Sequence, residues 1–271
     1  MHTSALDAII DTDRYPIDRL DAPGTRATIN AARQSLAEQG VAALTGFLRP
    51  DAVELVARDA LALLPRAHLQ DSAGTAYLAG PDDSYPEGHP RRNIQRSLTN
   101  ILAYDLVPPG NPVRRLFESD AMTAFLAEVL DRRPLYRMAD PLGALNLTVM
   151  DRGHVQGWHY DSTDFVVSIA IQSSDGGGEF ECARDIREAG DERYDDVAEV
   201  LGGRASDRIR VYPMTPATLM VFMGRYSIHR VAPVTGGTPR IVALLGYDTR
   251  PDTNSSDGLK LARYGRTGAF A

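Results

Sequence analysis

The chain has 271 residues, 43% of them hydrophobic and 24% charged, which is the composition of an ordinary folded protein and excludes wholesale disorder. No stretch approaches the ~18 apolar residues of a membrane helix, and a net charge of −7, with arginines scattered rather than massed, argues against a nucleic-acid partner. Cys182 is the only cysteine, which excludes an intrachain disulfide and a four-cysteine zinc site; with no signal-like N-terminus, a cytoplasmic protein without membrane contact is expected.

Helical spacing comes first along the chain. Residues 25–39 carry Ile29, Ala32 and Leu36 on one face, with Gly40 placed to end the helix. Residues 51–64 present an apolar stripe through Val53, Val56, Ala57, Ala60, Leu61 and Leu64. Asp51 and Glu54 fit a capping box there, and Pro65 is the stop. Between the two helices, 41–48 reads as a short strand. Residues 71–93, rich in Gly, Pro, Asp and Ser, read as a long surface loop. Two further helices are expected at about 111–119 and 120–130.

From residue 135 the apolar period changes from helical to two. Strands are expected at 135–138, 143–150, 156–160, 165–172, 178–182, 208–212, 217–223, 227–233 and 239–247, separated by turns such as SSDGGG and VTGGTP. No βαβ alternation is present, so an antiparallel double-stranded β-helix, or jelly roll, is predicted, with the N-terminal helices packed outside it. Residues 184–203 are charged and partly helical in pattern and form an insertion between strands. The expected organisation is a single domain over 1–271: a mainly helical N-terminal region over 1–134, a jelly-roll core 135–250 and a tail 251–271.

Of six histidines, His159 and Asp161 stand two apart in GWHYDST. At a strand end, residues i and i+2 point the same way, so both side chains can reach one metal ion. His229, in YSIHRVAPV, lies on a late strand that a jelly roll brings beside the early one. Arg240 sits inside PRIVALLGY, where burial of a guanidinium requires an anion, either a bound ligand or an acidic side chain. His154 belongs to a turn, Cys182 reads as a small strand residue, and the glycines at 176–178 form a hairpin without a following helix, so they are no phosphate loop.

The order His159-x-Asp161, His229, Arg240 on a jelly roll resembles the iron(II)- and 2-oxoglutarate-dependent oxygenases. The segments DPLGALNLTVM, WHYDSTDFVVSIAIQ, GGGEFECARDIR, YDDVAEVL and GRYSIHRVAPVTGGTPRIVALLGYDTRP resemble the bacterial branch that hydroxylates or halogenates free amino acids and related small metabolites. The likeness covers about residues 90–250. It implies that His159, Asp161 and His229 hold Fe(II) with three coordination positions open to 2-oxoglutarate and O2, and that Arg240 pairs with the distal carboxylate of 2-oxoglutarate. Many relatives carry a hydroxyl donor two residues after that arginine. Here the position is Val242, and Thr148 is the candidate replacement. In the halogenases of this branch Gly or Ala stands at the carboxylate position, so Asp161 implies a hydroxylase that releases succinate and CO2. Desaturation or oxidative cyclisation on the same iron site is the first rival, and a jelly roll that binds metal or 2-oxoglutarate without turnover is the second. Candidate substrate contacts are Asn146, Gln156, Trp158, Arg92, Arg96, Asp164 and Asp140. A monomer or homodimer acting on a small molecule is expected.

Overall fold

The computed structural model describes residues 6–270. The helices α1 (Pro23–Gln39) and α2 (Pro50–Leu63) flank strand β1 (Val41–Leu44). Strands β2 (His68–Thr75) and β3 (Ile94–Leu102) follow, then α3 (Pro112–Phe117), α4 (Asp120–Leu130) and the short β4 (Tyr136–Arg137). The second half holds β5 (Leu145–Met150), β6 (Val155–His159), β7 (Val166–Gln172), β8 (Phe180–Ala183), α5 (Tyr194–Leu201), β9 (Ile209–Tyr212), β10 (Leu219–Phe222) and β11 (Ile228–Val231). It closes with β12 (Arg240–Leu245), β13 (Tyr247–Asp248) and α6 (Asp257–Tyr264).

The strands run in the order β1-β10-β7-β12-β5-β3-β6-β11-β8-β9, with β2 paired on β3 and a separate β13-β4 pair. All pairings are antiparallel. The sheet curls into the predicted jelly roll, and β3 is its corner: Ser97 and Leu98 pair with β6, Asn100 to Leu102 with β5. Alternation then sorts every strand into two faces. Leu145, Leu147 and Val149 of β5, Val167, Ile169 and Ile171 of β7, and Ile241, Ala243 and Leu245 of β12 face outward into the main core. They pack there against Ile29 of α1, Val56 of α2, Leu116 of α3 and Phe125 of α4. The N-terminal helices therefore cover one sheet. The other is covered by residues 184–205, where Ile186, Val197 and Val200 pack on Trp158, Ala183 and Ile228.

Several expectations need correction. The region before residue 135 is less helical than its periodicity suggests, because β1, β2 and β3 all join the main sheet. Residues 71–75 belong to β2, and the loop proper is 76–93. The polar residues of β2 and β3 hid the hairpin, since one face of it looks to solvent. The capping box at Asp51 and Glu54 does not form: Arg49 is the N-cap and Pro50 opens α2, its missing N–H falling where no helical partner exists anyway. Gly40 does end α1, at φ 70°. No described helix is long and apolar enough to cross a membrane.

Candidate metal centre

His159 closes β6 and His229 lies in β11, and the two are direct cross-strand partners. Asp161 follows just beyond β6, and one ligand atom from each of the three residues falls within 4.8 Å of the others. The Asp161 carboxylate stands 3.9 Å from Nε2 of His159 and 3.4 Å from Nε2 of His229. Nδ1 of His159 lies 2.8 Å from the carbonyl of Gly157, and Nδ1 of His229 lies 2.9 Å from that of Ser227. A carbonyl only accepts, so each Nδ1 is the donor and each Nε2 offers its lone pair toward the carboxylate. Burial, reinforced by the His229 ring, pushes the His159 imidazole down to about 4, so it is neutral and free to ligate at neutral pH.

Oδ2 of Asp161 is buried with no hydrogen-bond partner. An orphaned carboxylate oxygen beside two imidazole lone pairs is unfavourable unless a cation meets it. Two neutral imidazoles and one carboxylate on one side of a centre form the donor set suited to non-haem iron(II).

A glycine makes room for this carboxylate. The amide of Asp161 donates to the carbonyl of Gly224 at 3.2 Å, and a Cβ built on Gly224 would stand 1.7 Å from Oδ2 of Asp161. Sequence reading passed over Gly224; its place in the MGRYSIH turn ahead of His229 was the available signal. Gly224→Ala is expected to swing the Asp161 carboxylate away and lower divalent-metal affinity at least tenfold, by analogy with outer-shell lesions at metal sites. Titration with Mn(II), followed by its magnetic resonance signal, measures this.

Arg240 opens β12 on the inner face and is 7% exposed. Its polar contact is Sδ of Met150 at 4.0 Å, and among the described residues it has no ion-pair partner. The acidic side chain that would have accounted for its burial is absent there, and burial alone draws the guanidinium down to about 10. Thr148 is the direct cross-strand neighbour of Val242 and donates to its carbonyl at 3.3 Å. The hydroxyl thus lies beside the position where many relatives have theirs.

Asn146 shares the inner face with Thr148; it is 4% exposed and its Oδ1 is buried without a partner. Gln156 also reaches the centre: its side-chain amide is 3.3 Å from Nε2 of His159. Strict alternation would point it the other way. A bulge intervenes, since His229 pairs with His159 but Val231 pairs with Gln156.

The remaining candidate contacts are placed elsewhere. Trp158 faces the outer side, beneath the insertion, with the Arg230 guanidinium 4.8 Å from its ring. Arg96 is paired to Asp71 across the β2-β3 hairpin at 3.1 Å. Arg92 binds Asp83 and the carbonyl of Tyr85 within its own loop, both at 3.2 Å. Asp164 is held by Arg225 at 2.5 Å.

Asp140 is fully buried and accepts from the amides of Leu142 (2.9 Å) and Ser255 (3.0 Å), with Lys260, the only lysine, 4.0 Å away. Burial opposes its ionisation, but hydrogen bonds from Ser255, Leu142 and Gly143 prevail and hold its carboxyl below the usual range. Asp140 therefore pins the C-terminal tail to the start of β5. Asp140→Ala is expected to destabilise the fold by about 2–4 kcal/mol, leaving the amides of Leu142, Gly143 and Ser255 and the Lys260 ammonium without their acceptor, without altering 2-oxoglutarate affinity. Chemical denaturation beside ligand titration checks both halves.

Loop 76–93 and the insertion are joined on the outer side of β6, where Ala76, Trp158 and Tyr160 pack. Nε of Arg91 donates to the hydroxyl of Tyr194 at 2.7 Å, His89 lies 4.4 Å from the Tyr194 ring, and the Arg187 guanidinium sits 3.9 Å from the ring of Tyr160, next to Asp161.

Metal ligands arranged on one side of a centre and a buried arginine with no acidic neighbour occur together in the jelly-roll oxygenases that use iron(II), 2-oxoglutarate and dioxygen, and this chain is one of them. The sequence profile of the Halogenase D family, HalD, matches residues 25–260, and the chain belongs to that family. No curated protein matches the sequence. Solved structures share the fold. AviO1 from Streptomyces viridochromogenes Tue57 superposes with TM-score 0.57 at 18% identity, over 84% of this chain and 97% of that one. SnoN, a non-heme alpha-ketoglutarate-dependent epimerase of nogalamycin biosynthesis, gives 0.56 at 11% identity, over 82% and 83%. A prolyl-4-hydroxylase of Pseudomonas putida gives 0.51 at 14% identity, over 82% and 100%.

Proposed function

We propose that this protein hydroxylates an unactivated C–H bond of a free amino acid or closely related small polar metabolite. The observation that carries the hydroxylase reading is Asp161: a carboxylate fills the position where halogenases of this branch have none. Iron(II) with 2-oxoglutarate and dioxygen supplies the oxidant, one oxygen atom entering succinate as CO2 leaves and the other entering the substrate. The protein's task is to position. His159, Asp161 and His229 would hold the metal, with the main chain at Gly157 and Ser227 fixing both rings. Arg240 would take the distal carboxylate of 2-oxoglutarate, and the Thr148 hydroxyl would turn to it from the Val242 carbonyl. Asn146, with an unsatisfied amide on the inner face, and Gln156, beside His159, are the groups assigned to the substrate. The reaction is assigned to the cytoplasm and to a monomer or homodimer.

The test is succinate formation by the iron-loaded protein across the free amino acids, in buffer containing chloride. The expected product is heavier by one oxygen atom and carries no chlorine. A product two hydrogens lighter would move the reading to desaturation or ring closure. A chlorinated product would overturn the role given to Asp161. Binding of 2-oxoglutarate with no turnover on any amino acid would sink the substrate class.

A further inference from the structure

Strand direction fixes which end of the barrel each part of the site occupies. Residues 160–165 lead from the end of β6, beside the metal ligands, to the start of β7, so β7 begins at the metal end. β12 is antiparallel to β7, and β5 is antiparallel to β12. Arg240, first in β12, therefore lies at the far end, and the residues just before β5 lie at the metal end.

The C-terminal helix α6 is seated at that metal end, on the inner face. Tyr264 packs on Leu142, which precedes β5, and on Ile101 and Ala103 at the close of β3. Ile101 is the cross-strand partner of Thr148 on one side and of His68 on the other, so the three side chains share the inner face. Gly265, which ends α6 at φ 68°, abuts the His68 ring: a Cβ there would stand 2.7 Å from Nδ1. α6 thus forms a wall of the site over the row His68, Ile101, Thr148.

Lys260, Arg263 and Tyr264 lie on one face of α6, at i, i+3 and i+4. Two of the three cations in this segment are satisfied, Lys260 by Asp140 at 4.0 Å and Arg266 by Asp105 at 2.6 Å. Arg263 is not. It is half-buried, its Nε is fully buried without a hydrogen-bond partner, and it forms no ion pair with any described residue. Its guanidinium lies 6.0 Å from the Tyr264 ring. Its charge also reaches the metal centre: burial and the His229 ring do most to hold the His159 imidazole down, and Arg263 acts in the same direction. A buried donor without an acceptor is unfavourable unless a ligand supplies one, and the acceptors that fit a guanidinium are carboxylate and phosphate.

Resting on the oxygenase reading above, we infer that Arg263 is a specificity-determining residue that receives an anionic group of the substrate, a carboxylate or a phosphate. The two unpaired arginines divide the acids between them, Arg240 taking the co-substrate at the far end and Arg263 the substrate at the metal end. The chain thereby selects a substrate whose acidic group lies to the α6 side of the carbon to be oxidised.

The test titrates the full chain, loaded with Mn(II) and 2-oxoglutarate, by calorimetry. In the carboxylate arm each free L-amino acid is set beside its primary amide; in the phosphate arm glycerol 3-phosphate is set beside glycerol. In one arm the charged probe is expected to bind at least tenfold more tightly than its uncharged counterpart, and that arm names the anion. Arg263→Gln is expected to remove the advantage of charge and leave the uncharged probe unchanged, with Arg263→Lys restoring part of it. The glutamine variant is also expected to keep wild-type 2-oxoglutarate affinity and to melt no lower, since the side chain has no polar partner to lose. An advantage of charge that persists in Arg263→Gln overturns the inference. So does weaker 2-oxoglutarate binding at unchanged Mn(II) affinity, which would give the guanidinium to the co-substrate, or a lower melting temperature with every ligand bound as before, which would make Arg263 a packing residue. Protein that binds 2-oxoglutarate but prefers no charged probe also overturns it and spares the oxygenase assignment. Failure of the wild type to bind 2-oxoglutarate sinks that assignment itself.

Discussion

Replacing Arg240 with methionine is expected to abolish 2-oxoglutarate binding and, in the same protein, to raise the melting temperature without ligand. Both effects have one origin. The guanidinium is buried and meets no carboxylate among the described residues. A paired buried charge of this kind is worth about 2–5 kcal/mol to binding, so its loss lowers affinity at least about 30-fold. Without the co-substrate the same charge is a burden on the fold, and an apolar side chain of similar length relieves about 1–3 kcal/mol, a shift of a few degrees in a chain of this size. Thermal melts with and without 2-oxoglutarate read both. The wild type should gain stability from the ligand, and the variant should start higher and ignore it. A variant that melts lower and still responds would remove Arg240 from the site.

The second large effect is expected from Asp161→Gly, which leaves a divalent ion on two neutral imidazoles. Product formation should fall at least 10³-fold, about 4 kcal/mol in the barrier. Asp161→Glu should fail almost as badly, although it keeps the charge. Oδ2 already stands where a Cβ on Gly224 would be, so the site has no room for an additional methylene. Product formation at saturating iron, beside Mn(II) affinity, separates lost metal from lost chemistry. A glutamate variant of near wild-type activity would show that the Asp161–Gly224 contact does not constrain the site.

How far the sequence carried the reading depended on the kind of signal involved. Period-two alternation made the second-half strands legible, and with them the facing of β5: Leu145, Leu147 and Val149 do pack on the helices, and Asn146 does point inward. The triad and Arg240 were legible because their order along the chain is fixed by the fold. The β2-β3 hairpin was not, since half its residues face solvent and carry no apolar pattern. Gln156 and Trp158 were equal candidates by position. The bulge opposite Val231, invisible in composition, turned one toward the metal ligands and left the other outside. Asp140 looked like a substrate contact because a buried carboxylate with a structural task is indistinguishable in sequence from one in a pocket. Its partners, Ser255 and Lys260, lie more than a hundred residues away.

The corner strand β3 carries a consequence for how this chain tolerates change. Its pairing with β6 ends at Leu98 and its pairing with β5 begins at Asn100, so Thr99 alone separates the strand that bears His159 from the strand opposite Arg240. One segment acts as the gauge between His159 and Arg240. Loop 76–93 and residues 184–203 stand outside that gauge, so a change in their length leaves its pairings intact. A residue inserted at position 99 would shift one pairing against the other by about 3.3 Å and reverse its faces, putting the two halves of the site out of step.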